Sequence, residues 1–418
     1  MNKTRTLSVF LRVAAVWIGL AGLSGRTTDA QPPFQGAPVI VVPNLVAYWS
    51  MDSASGSTVA DLSPSGNNGM LSGAALIDTG NKATVPTGNP ASLGLAAGNG
   101  DMMTVSDSSS LSLTGALTIA AWIRPTLAAG GTQHGIIEKF DGGGTNGYNL
   151  RLSSNNDLGF TIYGPSGGKG ISTAGRPPTA TNVWSHVAGV YNPTPGAGNP
   201  QMVQYRDAVQ DALASNTPGY VIEPVPAPAD GVSELHVGAD YGTNRFGGNI
   251  DEVRIYNRAL NSTEIQILHD GQPAATGLVA SGVAGAINLS WTAPAGSLTT
   301  PTYSILRGTS SGTYTTVVNG VSGTTYSDTS VTAGTPYFYV VVAVTVMASA
   351  NSNESSATSG AGAPPPPPPP PPAPRTSKSG NENDPCGCGT AGPIGLSGGV
   401  VGAMLLAALL LASSRRPT

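Results

Sequence analysis

Charge is scarce in this chain. Of its 418 residues only 10% are Asp, Glu, Lys or Arg, with 19 basic against 23 acidic side chains and a formal net charge of −4. So little positive charge leaves no electrostatic footprint for nucleic acid, which is therefore not an expected partner. Cysteine is scarcer still: two residues, Cys386 and Cys388, both near the end. The portion before them has no disulfide, even in a compartment that would permit one. Its stability must come from burial, with or without a metal. Long helical periodicity is missing as well. The exception is the short stretch 262–270, where Ser262 is placed to cap and Ile265, Leu268 and His269 share one face.

What is abundant is turn-forming residue, with 56 Gly and 35 Pro. Between the turns lie short apolar runs such as Val46-Ala47-Tyr48-Trp49 and Trp184-Ser185-His186-Val187-Ala188. In Leu117-Thr118-Ile119-Ala120-Ala121-Trp122-Ile123, alternate residues form two faces, and both are largely apolar. That is a strand within stacked sheets. The fold class expected is all-β, with a jelly-roll sandwich of two antiparallel sheets over 45–272 and a shorter all-β unit over 276–360. Residues 361–385 form a Pro-rich linker whose nine prolines, 364–372, make a stiff extended spacer.

The two ends carry their own signals. Lys3, Arg5 and Arg12, an apolar run at 13–23 and the small-residue site Thr28-Asp29-Ala30 have the order of a secretory signal peptide over 1–30. The run is shorter than the roughly 20 residues that span a bilayer, which counts against a permanent anchor. A lead-in of 31–44 follows. At the other end, over 386–418, Cys386-Gly387-Cys388-Gly389 precedes an apolar segment at 394–412 and then Arg415-Arg416. As a helix this segment is a marginal membrane span, with the arginines on the cytoplasmic side. The three-part tail resembles the MYXO-CTERM sorting signals of myxobacteria and related bacteria. The resemblance implies processing by an intramembrane sorting protease near Cys386 or Cys388, and display at the cell surface. The alternative is a plain C-terminal membrane helix.

Residues 45–272 resemble the LamG-like jelly roll of the concanavalin A-like lectin and glucanase superfamily. The segments that carry the resemblance are Ala47-Tyr48-Trp49-Ser50-Met51-Asp52, Val59-Ala60-Asp61-Leu62-Ser63, Gly66-Asn67-Asn68-Gly69, and the closing run from Gly247 through Asp251, Glu252 and Arg254 to Leu260. The turn at Asp207-Ala208 departs from the family, which has Gly there, so a rebuilt turn is expected. The resemblance implies a structural Ca²⁺, with Asp52 and Asp251 as the matching carboxylates. A hard cation needs several oxygen ligands. Without a metal, Asp52 would start a turn and Asp251 would pair with Arg254. Residues 276–360 resemble a fibronectin type III domain, through Ile287-Asn288-Leu289-Ser290-Trp291 and the run Tyr337-Phe338-Tyr339-Val340-Val341-Val342. There Trp291 is expected in the core, and Tyr337 is expected to tie its hydroxyl back to the chain.

Catalysis is not expected. A retaining glycosidase holds two carboxylates about 5–5.5 Å apart, and the Glu-x-Asp-x-x-Glu run of the superfamily's glucanases is absent. Glu138 and Asp141 are three apart, and the four histidines show no metal-ligand spacing. His186 reads as a packed structural residue. Tyr148, Tyr163, Tyr241 and Trp184 are candidates for stacking on sugar rings, and Tyr241 with Asn244, in a Gly-bracketed loop, are the chosen ligand-binding pair. The expectation is an exported cell-surface binding or adhesion protein that recognises a glycan or another envelope component. The alternatives are an envelope structural protein using the jelly roll for protein contacts and, further off, a glycan hydrolase.

Overall fold

The computed structural model describes residues 40–360, apart from 85–88, 98–99, 127–132, 141, 144, 173–179, 195–200, 212–230 and 241–243. These residues belong to one compact unit. The expected signal peptide, the proline linker, Cys386, Cys388 and the apolar tail lie outside the described residues. Among the described residues, no helix is long and apolar enough to cross a membrane.

The described residues are all-β with one short helix, arranged as two sandwiches. In the larger sandwich the first sheet runs Val209–Gln210, Met202–Arg206, Ser185–Tyr191, Leu117–Pro125, Gly248–Tyr256, Ser92–Leu95, Leu76–Asp78, with Leu45–Trp49 paired to Gly248–Tyr256. The second sheet runs Gly167–Ser172, Leu158–Gly164, Gly147–Leu152, His134–Phe140, Leu235–Val237, Met102–Val105, Gly69–Ser72, Thr58–Val59. The pairings are antiparallel throughout. Trp49, Ile119, Ile123 and Val253 from the first sheet meet Met103, Leu150, Phe160 and Val237 from the second in one core. At the centre of that core Gly189 stands opposite Phe160. A Cβ on Gly189 would come within 2.4 Å of the Phe160 ring, so the missing side chain is the space the ring fills.

The Asp61 motif is a clasp over the first strand. Asp61 accepts hydrogen bonds from the amides of Tyr48 (2.9 Å), Ser63 (2.8 Å) and Asn67 (2.8 Å) and from the Ser63 hydroxyl (2.8 Å). Trp49 Nε1 in turn donates to the Asn67 carbonyl at 2.8 Å. These residues act on backbone groups that would otherwise be buried unpaired. The Asp207-Ala208 turn is not rebuilt. Both residues take positive φ (52° and 60°), and Arg206 pairs directly with Val209, so the two-residue hairpin survives without its glycine.

The outer face of the first sheet is covered too. The helix Ser262–Asp270 lies over it, capped by Asn261 rather than Ser262: Glu264 N donates to Asn261 Oδ1 at 3.0 Å and Asn261 N to Glu264 Oε2 at 2.9 Å, a capping box. Ile265 and Leu268 join Ala120, Ala188, Val190 and Tyr256 of the sheet in a second apolar layer. Val340, Val342 and Val344 of the smaller sandwich complete that layer. Within it the Tyr256 hydroxyl donates to the Val346 carbonyl at 2.6 Å. Beside it Thr345 Oγ1 donates to Gln272 Oε1 at 2.7 Å.

The smaller sandwich packs a three-stranded sheet, Thr276–Val283, Ala286–Thr292, Thr325–Asp328, on a four-stranded one, Thr313–Val321, Thr302–Ser310, Pro336–Val344, Ser355–Thr358. The strand Pro336–Val344 has two apolar faces, each with its own partner. Tyr339 and Val341 enter this sandwich's own core with Trp291, while Val340 and Val342 face the shared layer. Trp291 is buried against Tyr303, ring centroids 5.1 Å apart. Tyr337 does tie back to the chain: its hydroxyl accepts from the Thr332 amide at 3.2 Å. Asp328 is fully buried and accepts from Arg307 (2.7 Å), Tyr339 (2.9 Å) and Ser330 (2.7 Å). Desolvation by burial opposes the ionised form, but hydrogen bonds from Ser330, Tyr339 and Arg307 outweigh it and hold the carboxyl below its usual pKa.

Two outcomes are expected. Gly189→Val drives a side chain into Phe160 and should cost at least about 1–3 kcal/mol, read as a lower midpoint in urea. For Asp328 the folded pKa lies below the unfolded value, so the unfolded state binds the extra proton. Its contribution is complete above about pH 4 and is lost as pH falls through the folded pKa. Asp328→Asn should flatten that acid limb of the stability curve, and a limb of unchanged slope would show another group to be responsible.

Candidate functional site

Two places in the larger sandwich bring buried polar side chains together where the sequence expected a site. The first is the outer face of the second sheet. In its strands Met103, Ile137, Leu150, Phe160 and Val237 point inward, so their neighbours point outward. Register sets these neighbours in one transverse row: Thr104 beside His236, His236 beside Glu138, Glu138 beside Asn149, Asn149 beside Thr161. A second row sets Phe140 and Tyr163 on either side of Gly147, and their rings stack at 4.1 Å. Across Gly147 and Gly168 no side chain stands in the way; a Cβ on Gly168 would meet the Tyr163 ring at 2.6 Å.

Hydrogen bonding ties the rows together. Asn149 Nδ2 donates to the Tyr163 hydroxyl at 3.2 Å, while Asn149 Oδ1 is buried without a hydrogen-bond partner. Burial raises the Tyr163 pKa, with Arg151 opposing and Asp240 and Glu138 adding to the rise. Burial likewise lowers that of His236, with Glu234 opposing and Arg245 adding to the fall, so its imidazole is neutral at neutral pH. Arg151 and Asp240 form an ion pair at 3.7 Å along the same face. The hairpin that carries Asp240 pairs Ala239–Asp240 with Asn244–Arg245, which places Asn244 at the rim of this face. Tyr241 lies outside the described residues. Tyr148 is not a surface stacker: it is buried in the core, and its hydroxyl donates to the Leu111 carbonyl at 3.0 Å. Glu138 was noted in the sequence only as an acid three residues from Asp141, and Asn149 was missed. What singles them out is their shared register.

The second place is where the strand Leu45–Trp49 ends beside Gly248–Tyr256. A bulge falls between Asp251 and Arg254, with Glu252 at φ 52°. It sends the two neighbouring carboxylates to different partners. Arg254 pairs with Glu252 (2.5 Å), not with Asp251, and its guanidinium lies 4.0 Å over the Tyr48 ring. Asp251 is fully buried and accepts from the Ala83 amide (3.1 Å), Asn89 Nδ2 (2.6 Å) and the Glu252 amide (2.9 Å). Burial pushes its pKa up to about 8 against those hydrogen bonds, and the charges of Glu252 and Asp52 add to the rise.

The charge of Asp52 thus reaches Asp251. Asp52 Oδ1 and Asn89 Oδ1 are buried without hydrogen-bond partners. Two carboxylates and an amide oxygen, with one carboxylate oxygen and the amide oxygen unpartnered, are the donor chemistry of a hard cation. Among the described residues no group of three or more His, Cys, Asp or Glu side chains is placed to hold a metal. Backbone carbonyls or water would have to complete a calcium shell here.

The fold defined by these sheets is a jelly roll, and one family match agrees. Residues 97–266 match the Laminin_G_3 family, described as concanavalin A-like lectin/glucanases superfamily, and they carry a concanavalin A-like jelly-roll domain. The match begins after Leu45–Trp49, although that strand completes the first sheet. No curated protein matches the chain. Among solved structures, the chain is similar to an Fn3-like protein from Clostridium thermocellum, 38% identical, over 20% of this chain and 86% of that one, with a TM-score of 0.18. It is also similar to the binding domain of Paraclostridial Mosquitocidal Protein 1, at 16% identity over 71% and 70% of the two chains, TM-score 0.40. A third is domain 4 of AbnA, a GH43 extracellular arabinanase from Geobacillus stearothermophilus solved with arabinotriose, at 18% identity over 54% and 98%, TM-score 0.38.

One substitution tests the electrostatics of the bulge. Arg254→Met strands a buried Glu252 carboxylate and should cost about 3–5 kcal/mol. The double change with Glu252→Gln should recover part of that loss in a thermal melt.

Proposed function

We propose that this chain is an exported cell-surface binding protein whose jelly roll takes a carbohydrate on the outer face of the second sheet. The observation that carries this reading is the row Thr104–His236–Glu138–Asn149–Thr161 beside the Phe140–Tyr163 stack. A sugar ring presents hydroxyls at its edge and C–H groups on its face. The half-buried Thr104 and His236 supply donors and acceptors for the first, over a buried floor of Glu138, Asn149 and Thr161, and the aromatic pair supplies a surface for the second. Asn244 at the rim extends the same surface, and Tyr241 is its expected companion. The face is built for binding rather than turnover. Directly opposed cross-strand residues lie about 4.5–5.5 Å apart, and the positions opposed to Glu138 hold His236 and Asn149, not a second carboxylate.

Asp52, Asp251 and Asn89 would hold a structural Ca²⁺, which relieves the like charges gathered there and fixes the end of the first strand. The smaller sandwich serves as a fibronectin type III-like support. Export and surface display rest on the sequence at the two ends, with Cys386 or Cys388 the residue at which a sorting protease acts, or with the tail kept as a membrane helix.

A glycan array probed with the purified chain tests the reading. Binding to a defined glycan is expected, weakened about tenfold by Tyr163→Ala, which removes roughly 1–1.5 kcal/mol of ring contact. Asn149→Ala should weaken it as well. No glycan bound with or without EDTA would count against carbohydrate recognition and turn attention to a protein partner. Release of reducing ends from a bound polysaccharide would overturn the non-catalytic reading. For the metal, Ca²⁺ should raise the melting temperature of the chelated protein, and Asp52→Asn should abolish that rise. Mass spectrometry of the mature protein settles the tail: a terminus that retains Arg416 would leave a membrane helix in place of processing.

A further inference from the structure

A different cluster lies on the other sheet, between its outer face and the helix. Trp122 and His186 are directly opposed on neighbouring strands, with ring centroids 5.5 Å apart. Both are buried, His186 to 2% exposure and Trp122 to 7%, yet Trp122 Nε1 and His186 Nδ1 have no hydrogen-bond partner. An unpaired buried polar group costs about 1–3 kcal/mol, so two side by side call for a reason. From the last turn of the helix, His269 stacks on Trp122 at 5.2 Å and meets His186 edge-on at 6.0 Å. His269 Nδ1 lies 2.6 Å from Asp270 Oδ1, which leaves Nε2 with the free lone pair.

We propose that His186 and His269 form a two-nitrogen site for Zn²⁺ or a similar divalent transition cation, with Asp270 as the outer carboxylate that orients His269. The distances suit it. Two imidazoles that share a tetrahedral ion at about 2.0–2.1 Å per bond place their ring centres roughly 5–6 Å apart. The chemistry suits it as well. A metal-bound histidine gives its second nitrogen to a carboxylate, as His269 does. Arg254 is itself engaged by Glu252 and does not compete for the ion's place. The Trp122 N–H supplies a donor for a water on the ion. The site opens to solvent on the helix side, where the side chains of His269 and Asp270 are 27% and 52% exposed. With two protein ligands it is an open site, weaker than a closed four-ligand one. It is distinct from the Asp52–Asp251 oxygen site in ligand softness, since imidazole selects Zn²⁺, Cu²⁺ or Ni²⁺ over Ca²⁺.

Isothermal titration of Zn²⁺ into the full chain tests this, with Cys386 and Cys388 changed to Ser so that the tail thiols bind nothing. One equivalent is expected to bind. His269→Ala, at the exposed end of the helix, should weaken it at least tenfold. Cu²⁺ in the same protein should show nitrogen couplings in its electron paramagnetic resonance spectrum, and His269→Ala should lose them. Absence of Zn²⁺ binding, equal binding by His269→Ala, or equal binding of Ca²⁺ at the same site would overturn the assignment.

Discussion

The Tyr256 hydroxyl reaches the Val346 carbonyl from inside an apolar layer, and the contact marks the constraint on which the rest depends. The first sheet of the jelly roll is packed on both faces. Inside it meets the second sheet; outside it meets the helix and the valines of the smaller sandwich. A sheet buried on both sides cannot offer a broad surface to a ligand. The outer face of the second sheet is left for that role, although Glu138, Asn149 and Thr161 of its polar row are themselves buried. The same packing holds the two sandwiches as one unit, so the smaller one is a fixed bracket and not a loose spacer.

Burial of that kind has to be reconciled with polar groups, and the structure does so locally. Asp61 collects donors from four groups around the first strand. Glu252 and Arg254 neutralise each other beneath Tyr48. Asp328 does the same with Arg307 in the smaller sandwich. Where the reconciliation is incomplete, at Asp52, Asn89 and Asn149 and at the Trp122–His186 pair, the unpartnered atoms mark the places that chemistry from outside the chain would complete.

Much of the fold was legible because β-structure writes its burial into a period of two. The doubly apolar alternation at 117–123 announced a strand with two buried faces; the apolar run at 337–344 was legible as a strand, and its second buried face was not. The jelly-roll motifs located the closing strand and Asp251, and scarce charge with abundant glycine fixed the all-β class. The cap at Asn261 was missed by one residue because both Asn261 and Ser262 are good caps, and only the position of Glu264 decides between them. The Asp207-Ala208 turn was misjudged because pairing on both sides can hold two non-glycine residues at positive φ against their local preference.

The site was far less legible. Glu138, Asn149, Thr161, His236 and Tyr163 are spread over some hundred residues of chain, and no spacing in sequence joins them. Sequence alone settled which residues alternate, where turns fall and which acids accompany the closing strand, because these are local properties of side-chain size and polarity. Only the tertiary structure decided which strands stand side by side, that Arg254 answers Glu252 and not Asp251, and that His269 comes to rest on Trp122. Register and sheet packing are set by contacts between distant segments, and their energies are not written in any one of them.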